Sequence, residues 1–291
     1  MFRSPTCVIS SASAGSVSGG HAVDRYAEIG SFTKVLTGTA LMRMAAAGVL
    51  APDDPLERWL PQAPGTGITL RQLAEHTSGL PRLPPGLGLR DPYAAFDRDA
   101  LTVLLGRLGR LTVRAPGAAK EYSNFGYAVL GAALEAAAGV PYEELLGTYV
   151  LAPLAVAEVA VHPSAGQRLC ARGLFGRERA PWSMDGAILP AGGLWATPRA
   201  VAALVTGLLV ERRLGEPAPS WQRTGELHWH NGATRDSSVF TGAMPDGRWV
   251  VIHRLRSSAA RTDREGVRIL LRTEPPTAAS EPPPCGPSDA P

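Results

Sequence analysis

The chain of 291 residues is long enough for one large domain with a sizeable core, and 45% hydrophobic with 19% charged residues is an ordinary balance for a globular protein. A net charge of +3 without a basic block argues against a nucleic-acid partner, and no apolar run reaches the length of a membrane span. Three cysteines, Cys7, Cys170 and Cys285, are too few and too widely spaced for a disulfide framework or a CxxC metal site. The first twenty residues lack the apolar core of a secretory leader, so a cytoplasmic location is expected.

In chain order, Thr6 to Ser10 reads as a short strand, Ser11 to Gly20 as a small-residue turn region and His21 to Glu28 as a second, weaker strand. A buried helix follows Lys34 and stops near Gly48. Thr69, with Gln72 three residues on, has capping-box spacing for a short helix that ends at His76-Thr77-Ser78-Gly79. Pro81 to Pro92 is loop, and a helix is expected from about Asp97 to Leu108. The loop Pro116 to Tyr127 leads into a helix from Ala128 to Ala138, and Pro141 opens another. Ala191 to Pro198 reads as a turn into an apolar helix that runs through Val210, with Thr197 as cap. Strands are expected over Glu226–Asn231, Ser237–Ala243 and Arg248–His253, the last two joined by Pro245-Asp246-Gly247. Thr262 or Asp263 caps a final helix to about Arg272, and a Pro-rich tail from Thr273 is expected to be disordered. Early strands, a helical middle and late strands point to an α/β (α+β) sandwich with an inserted mainly helical region at about 50–190 and a single domain over 1–272.

The most informative stretch is Gly30-Ser31-Phe32-Thr33-Lys34. Residues three apart on a helix share a face, so the Ser31 hydroxyl and the Lys34 amine can meet at a helix start, where unpaired N–H groups favour developing negative charge. By itself Ser-x-x-Lys is a weak pattern, because a serine at a helix start is most often only a cap. Composition adds weight: of 29 Lys+Arg residues only Lys34 and Lys120 are lysine. Arginine cannot be deprotonated in a protein, whereas a desolvated lysine can act as a base.

Three motifs occur in order: Ser31-Phe32-Thr33-Lys34, Tyr122-Ser123-Asn124 and Trp229-His230-Asn231-Gly232. Between them stand Leu73-Ala74-Glu75-His76-Thr77-Ser78-Gly79-Leu80 and Gly192-Gly193-Leu194-Trp195-Ala196-Thr197. On these motifs the chain resembles the serine hydrolases of the class C β-lactamase and penicillin-binding-protein-like family, which includes D-aminopeptidases and lactamase-fold esterases. The likeness covers roughly residues 20 to 272. It implies the β-lactamase/transpeptidase-like fold, an antiparallel sheet flanked by helices, and no cofactor or metal. It also implies that Ser31 attacks an ester or amide carbonyl and becomes acylated. Tyr122 and Lys34 would share the proton, either one being the base, and Asn124 would orient the lysine and the substrate amide. The N–H groups of Ser31 and Ala233 would form the oxyanion hole, His230 and Gly232 would line the cleft, and Trp195 would line it or simply pack.

Other readings of the same residues are simpler. His228 and His230 face the same way on a strand, but no third ligand follows at zinc spacing. His76 reads as a turn former and Lys120 as an exposed loop residue. Compared with the family, the stretch ahead of Ser31 is short and offers one convincing strand, and Arg235 and Asp236 would charge the cleft mouth.

The expected activity is cleavage of a small-molecule ester, amide or lactam, with esters preferred. His230 stands where β-lactamases carry the lysine of Lys-Thr-Gly, and an imidazole with an ordinary pKa near 6.5 is mostly neutral above pH 7. The alternatives are a β-lactamase or D-amino-acid peptidase, and a shortened inactive relative that only binds a ligand.

Overall fold

The computed structural model describes residues 4–173 and 175–276. The strands are β1 (Thr6–Ser10), β2 (Ser13–Ser18), β3 (Ala27–Glu28), β4 (Val159–Ala160), β5 (Trp195–Ala196), β6 (Gln222–Thr224), β7 (Leu227–Ala233), β8 (Ser237–Ala243) and β9 (Trp249–Leu255). The helices are α1 (Thr33–Ala46), α2 (Leu70–Ala74), α3 (Arg98–Leu105), α4 (Leu108–Leu111), α5 (Asn124–Ala138), α6 (Tyr142–Leu146), α7 (Ala152–Leu154), α8 (Leu189–Gly192), α9 (Pro198–Val205) and α10 (Ala259–Arg272).

Six strands form one antiparallel sheet in the order β2-β1-β9-β8-β7-β6, so the N-terminal strand closes onto the C-terminal ones, with Val8 opposite Ile252. The small residues after Ser11 do not form the expected turn. They make β2, whose Val17 lies opposite Cys7 of β1. The sheet edge offers these residues a hydrogen-bonding partner, which outweighs their weak strand preference. A second small sheet, β3-β5-β4, ties the segment ahead of Ser31 to Trp195, which pairs with Glu28 in a strand rather than a turn.

Alternation sorts the central strand. Val239 of β8 joins the main core, while the next residue, Phe240, packs on the other face with Val250, Ile252 and Leu270. Burying each such side chain is worth about 1.5–3 kcal/mol. Helix α10 meets that face with Thr262, Gly266 and Leu270, a stripe of every fourth residue. On the opposite side α1 is buried from Thr33 through Leu41, which explains why that stretch carries small and apolar residues all round.

Several boundaries differ from expectation. Helix α5 begins at Asn124, four residues early, because the Ser123 hydroxyl accepts the Gly126 N–H at 2.8 Å and caps it. Helix α10 starts at Ala259 with Ser258 as cap, because the chain leaves β9 at Leu255 and turns helical at once. Thr262 sits inside that helix, and its hydroxyl donates to the Ser258 carbonyl. The helix expected from Asp97 is broken at Gly106 into α3 and α4, and Asp97 stands ahead of it as the cap, accepting the Ala100 N–H. The strand expected over His21–Glu28 shrinks to its last two residues, since His21 turns inward onto His253. Strands β4 and β6 were not expected. The tail beyond Pro276, with Cys285, lies outside the described residues. Among the described residues no helix is long and apolar enough to cross a membrane.

Candidate active site

Ser31 lies in a short 3-10 turn, Gly30–Phe32, immediately ahead of α1 rather than in its first turn. Backbone contact between this turn and β7 shapes the site. Gly30 has φ +49°, and a Cβ there would lie 2.8 Å from the Ala233 nitrogen. A Cβ on Gly232 would lie 2.0 Å from the Ile29 carbonyl oxygen. Any larger residue at either position would force the turn off the strand, so the two glycines set the Ala233 backbone against the residue preceding Ser31.

Lys34, one turn on, is fully buried, and its Nζ donates to Ser31 Oγ at 3.2 Å and to the Ala191 carbonyl. Burial first, and then the Arg82 charge, hold its amine well below the usual lysine range. The rings of Tyr122 and Tyr127 face Nζ at 4.8 and 5.4 Å. Such contacts favour the ammonium by about 2 kcal/mol when desolvated. Burying an ammonium without a carboxylate partner costs several kcal/mol, so burial prevails. The Tyr122 hydroxyl donates to Ser31 Oγ at 2.7 Å. Burial pushes this phenol up to about 12, against the opposing pull of the Ser31 hydrogen bond and the Arg82 charge. Ser31, Lys34 and Tyr122 thus meet around one oxygen, with a lysine biased toward its neutral form beside a protonated phenol.

His76 supports this cluster from below. It is buried, has φ 63°, and its Nδ1 accepts the Ser123 N–H at 3.1 Å. Its ring packs 4.5 Å from that of Tyr122. Burial and the Lys34 charge push its pKa down to about 2, so it is a neutral prop as well as a turn former.

The remaining expected residues are placed as follows. Asn124 opens α5, but its Nδ2 donates to the Tyr93 hydroxyl at 3.2 Å and, among the described residues, it has no bond to Lys34. Its Oδ1 is buried without a partner. The lysine is held instead by the Ala191 carbonyl, a backbone group that no motif encodes. His230 is buried on β7, donates from Nδ1 to the Asn231 carbonyl at 2.6 Å and leaves Nε2 unpartnered. Burial and the Lys34 charge bring it down to about 3.

Trp195 lines a cavity of about 270 Å³ with Glu28, Trp182, Met184 and Gly192, and Ser31 is not in the lining of that cavity. Asp236 is drawn away to Arg179 at 2.7 Å, and exposed Arg235 donates to the Ala180 carbonyl at 3.4 Å. Lys120 is exposed, with Gln222 Oε1 at 3.5 Å. His228 lies half-buried on β7. Sequence reasoning missed Arg82, whose guanidinium lies 5.0 Å over the Tyr122 ring. It also missed Tyr93. No spacing rule links these residues to the motifs, since only the folded loops bring them close.

The comparisons with known proteins agree with this geometry. The Beta-lactamase family model matches residues 14–257. The chain is 31% identical over 183 residues to D-alanyl-D-alanine-carboxypeptidase/endopeptidase AmpH of Escherichia coli, covering 60% of this chain and 47% of that protein. It is 34% identical over 147 residues to Esterase EstB of Burkholderia gladioli, covering 45% of this chain and 37% of the esterase. The chain therefore spans less than half the length of these curated relatives. A β-lactamase/D-alanine carboxypeptidase from Yersinia pestis, solved with citrate, shares the fold with a TM-score of 0.74 at 23% identity, covering 92% of this chain and 91% of that one. The family match takes in well over half the sequence and includes all three motifs, and the chain belongs to the Beta-lactamase family of serine hydrolases.

Proposed function

We propose that this chain hydrolyses a small-molecule ester or amide through an acyl-enzyme on Ser31, with esters preferred. The observation that carries the reading is the convergence of the Tyr122 hydroxyl at 2.7 Å and the buried Lys34 amine at 3.2 Å on Ser31 Oγ. A neutral Lys34 keeps a donor for the Ala191 carbonyl and turns its lone pair to the serine proton. Its depressed pKa makes it the base in the free enzyme, and the raised pKa of Tyr122 makes the phenol a proton carrier rather than a phenolate.

Ser31 Oγ attacks the carbonyl carbon as Lys34 takes the proton. The Ser31 and Ala233 N–H groups receive the oxyanion. The proton passes through Tyr122 to the leaving oxygen or nitrogen as the bond to the acyl carbon breaks. Water then repeats the sequence, giving one proton to Lys34 and returning the acid.

Ester preference follows from the β7 wall. His230, held near 3 chiefly by burial, carries no charge at working pH and cannot hold a lactam's carboxylate as a lysine would. A lost charge-assisted bond costs about 1.5–3 kcal/mol, or roughly tenfold to a hundredfold in rate. The similarity to EstB agrees with this reading, and the similarity to AmpH favours the peptidase alternative.

The test is kcat/KM for p-nitrophenyl acetate against a chromogenic cephalosporin over about pH 5.5–8.5, with the ester expected to be the better substrate throughout. A cephalosporin that is turned over faster at about pH 8 overturns the ester preference and makes Arg235 the suspected anchor. Failure of both substrates, with no labelling by a fluorophosphonate, leaves the ligand-binding alternative.

A further inference from the structure

We propose that Arg82 anchors a carboxylate, or another anionic group, carried on the leaving-group side of the substrate; this deepens the hydrolase reading and rests on it. Arg82 is exposed in the loop after Leu80, and its guanidinium lies 5.0 Å from the centre of the Tyr122 ring. Its backbone carbonyl accepts the Asn124 N–H at 2.8 Å, so the residue is fixed to the start of α5 beside Tyr122. Among the described residues the guanidinium has no carboxylate partner. Stacking on an aromatic face leaves the edge of the fork free, which suits paired hydrogen bonds to a carboxylate.

The surrounding field has one sign. Besides Lys34, the cations bearing on the site are Arg82, which acts on Lys34, Tyr122 and His76, and Lys120, which acts on His76 and His230, and no carboxylate is among the groups acting on these four. A cleft lined by one sign of charge draws an oppositely charged ligand. The side of the substrate follows from the proton route. Tyr122 delivers the proton to the departing atom, so that atom leaves along Tyr122, and a substituent on it extends toward the guanidinium stacked there. A lactam's carboxylate also lies on the side of the departing nitrogen, but it is borne one carbon from that nitrogen and held in a ring, so it reaches less far along Tyr122 than the carboxylate of an open leaving group.

The experiment uses two acetates of similar size, meta-carboxyphenyl acetate and its neutral counterpart meta-carbamoylphenyl acetate, with the full chain and with Arg82→Gln and Arg82→Lys. The expected result is a higher kcat/KM for the anionic ester in the parent protein. That preference should fall about tenfold in Arg82→Gln and be largely kept in Arg82→Lys. Taking the ratio of the two substrates cancels any effect of Arg82 on the basicity of Lys34. A second arm measures binding of the products, meta-hydroxybenzoate and meta-hydroxybenzamide, by calorimetry. An unchanged ratio in Arg82→Gln with normal turnover overturns the anchor and leaves the hydrolase standing. Absence of turnover with tighter, Arg82-dependent binding of the benzoate overturns the hydrolase and leaves the anchor. No Arg82-dependent preference for the anion in either arm overturns the anchor outright.

Discussion

At Ser31 and at Ser237 the fold sets a serine hydroxyl against a nitrogen base, and the two sites differ in direction and access. Ser237 Oγ lies 2.8 Å from His253 Nε2, and His253 Nδ1 lies 2.8 Å from His21 Nε2. On composition alone this looks more like a nucleophile, a base and an orienting group than the lysine site does. One assignment of protons satisfies the bonds from the Ala22 N–H to the Glu28 carbonyl and leaves unmade only the contact of His21 Nδ1 with the Ala22 carbonyl at 2.8 Å. The Ala22 N–H donates to His21 Nδ1, His21 Nε2–H to His253 Nδ1, His253 Nε2–H to Ser237 Oγ, and Ser237 O–H to the Glu28 carbonyl at 2.7 Å. In that assignment the histidine gives a proton to the serine and has no lone pair to take one. Ser237 and His253 are both 2% exposed, so no substrate carbonyl can reach them. Ser31 is half-exposed and faces a lysine driven toward its neutral form. A serine next to a base becomes a candidate nucleophile only where the base can turn a lone pair to the hydroxyl, as a rotatable neutral amine can, and the hydroxyl reaches the surface.

The largest effect should come from exchanging the two serines for alanine. Ser31→Ala should lower ester turnover on the order of 10⁴-fold or more, as losing a nucleophile does. Ser237→Ala should keep turnover within a few-fold, but it should lose about 1–3 kcal/mol of stability, because the Glu28 carbonyl and the His253 donor lose a buried partner. Intact-mass labelling with a fluorophosphonate makes the same distinction: one addition, absent in Ser31→Ala and present in Ser237→Ala. Labelling that survives in Ser31→Ala ends the assignment.

A smaller effect tests the direction of proton transfer. Lys34→Arg keeps a cation but cannot offer a lone pair, so kcat/KM should fall about 10²-fold or more. Tyr122→Phe should cost a similar factor, and the double variant little more than either, since groups that share one proton do not act additively. In the parent protein turnover should hold at neutral pH and drop as pH falls through the depressed Lys34 pKa, where the lone pair is lost. Near-normal turnover in Lys34→Arg would make the lysine structural, like the histidines on the other side.

The smallest and most diffuse effect belongs to the buried imidazoles. His21, His76, His230 and His253 are pushed from 6.5 down to about 4, 2, 3 and 3, mainly by burial. Below pH 6.5 the unfolded chain takes up protons that the native protein refuses, so stability falls as the medium is acidified from there toward 4. Glu28, pushed from 4.5 up to about 7, works the other way across that interval, one carboxyl against four imidazoles. Thermal melts between about pH 7 and 4 should therefore show Tm falling by about 2–4 °C for each kcal/mol lost, and His253→Phe should flatten the slope. A Tm that stays level over that range would mean that the imidazoles are not held neutral.

The sequence by itself determined the family, the Ser31–Lys34 spacing, the buried helix behind it, the caps at Thr69 and Thr197, and the β8–β9 hairpin. These features rest on short-range rules, such as the period of a helix, a side chain reaching a backbone N–H three residues on, or a turn between alternating strands. Tertiary structure alone decided that the small-residue stretch Ser13–Ser18 is a strand, because its partner β1 is held by β9 from the far end of the chain. It alone put the Ala191 carbonyl, rather than Asn124, on Lys34, and set Arg82 over Tyr122. It also stripped the Lys34 amine of water. A pKa depends on how completely a group is desolvated and on which charges come near it in space, and no local pattern of residues encodes either.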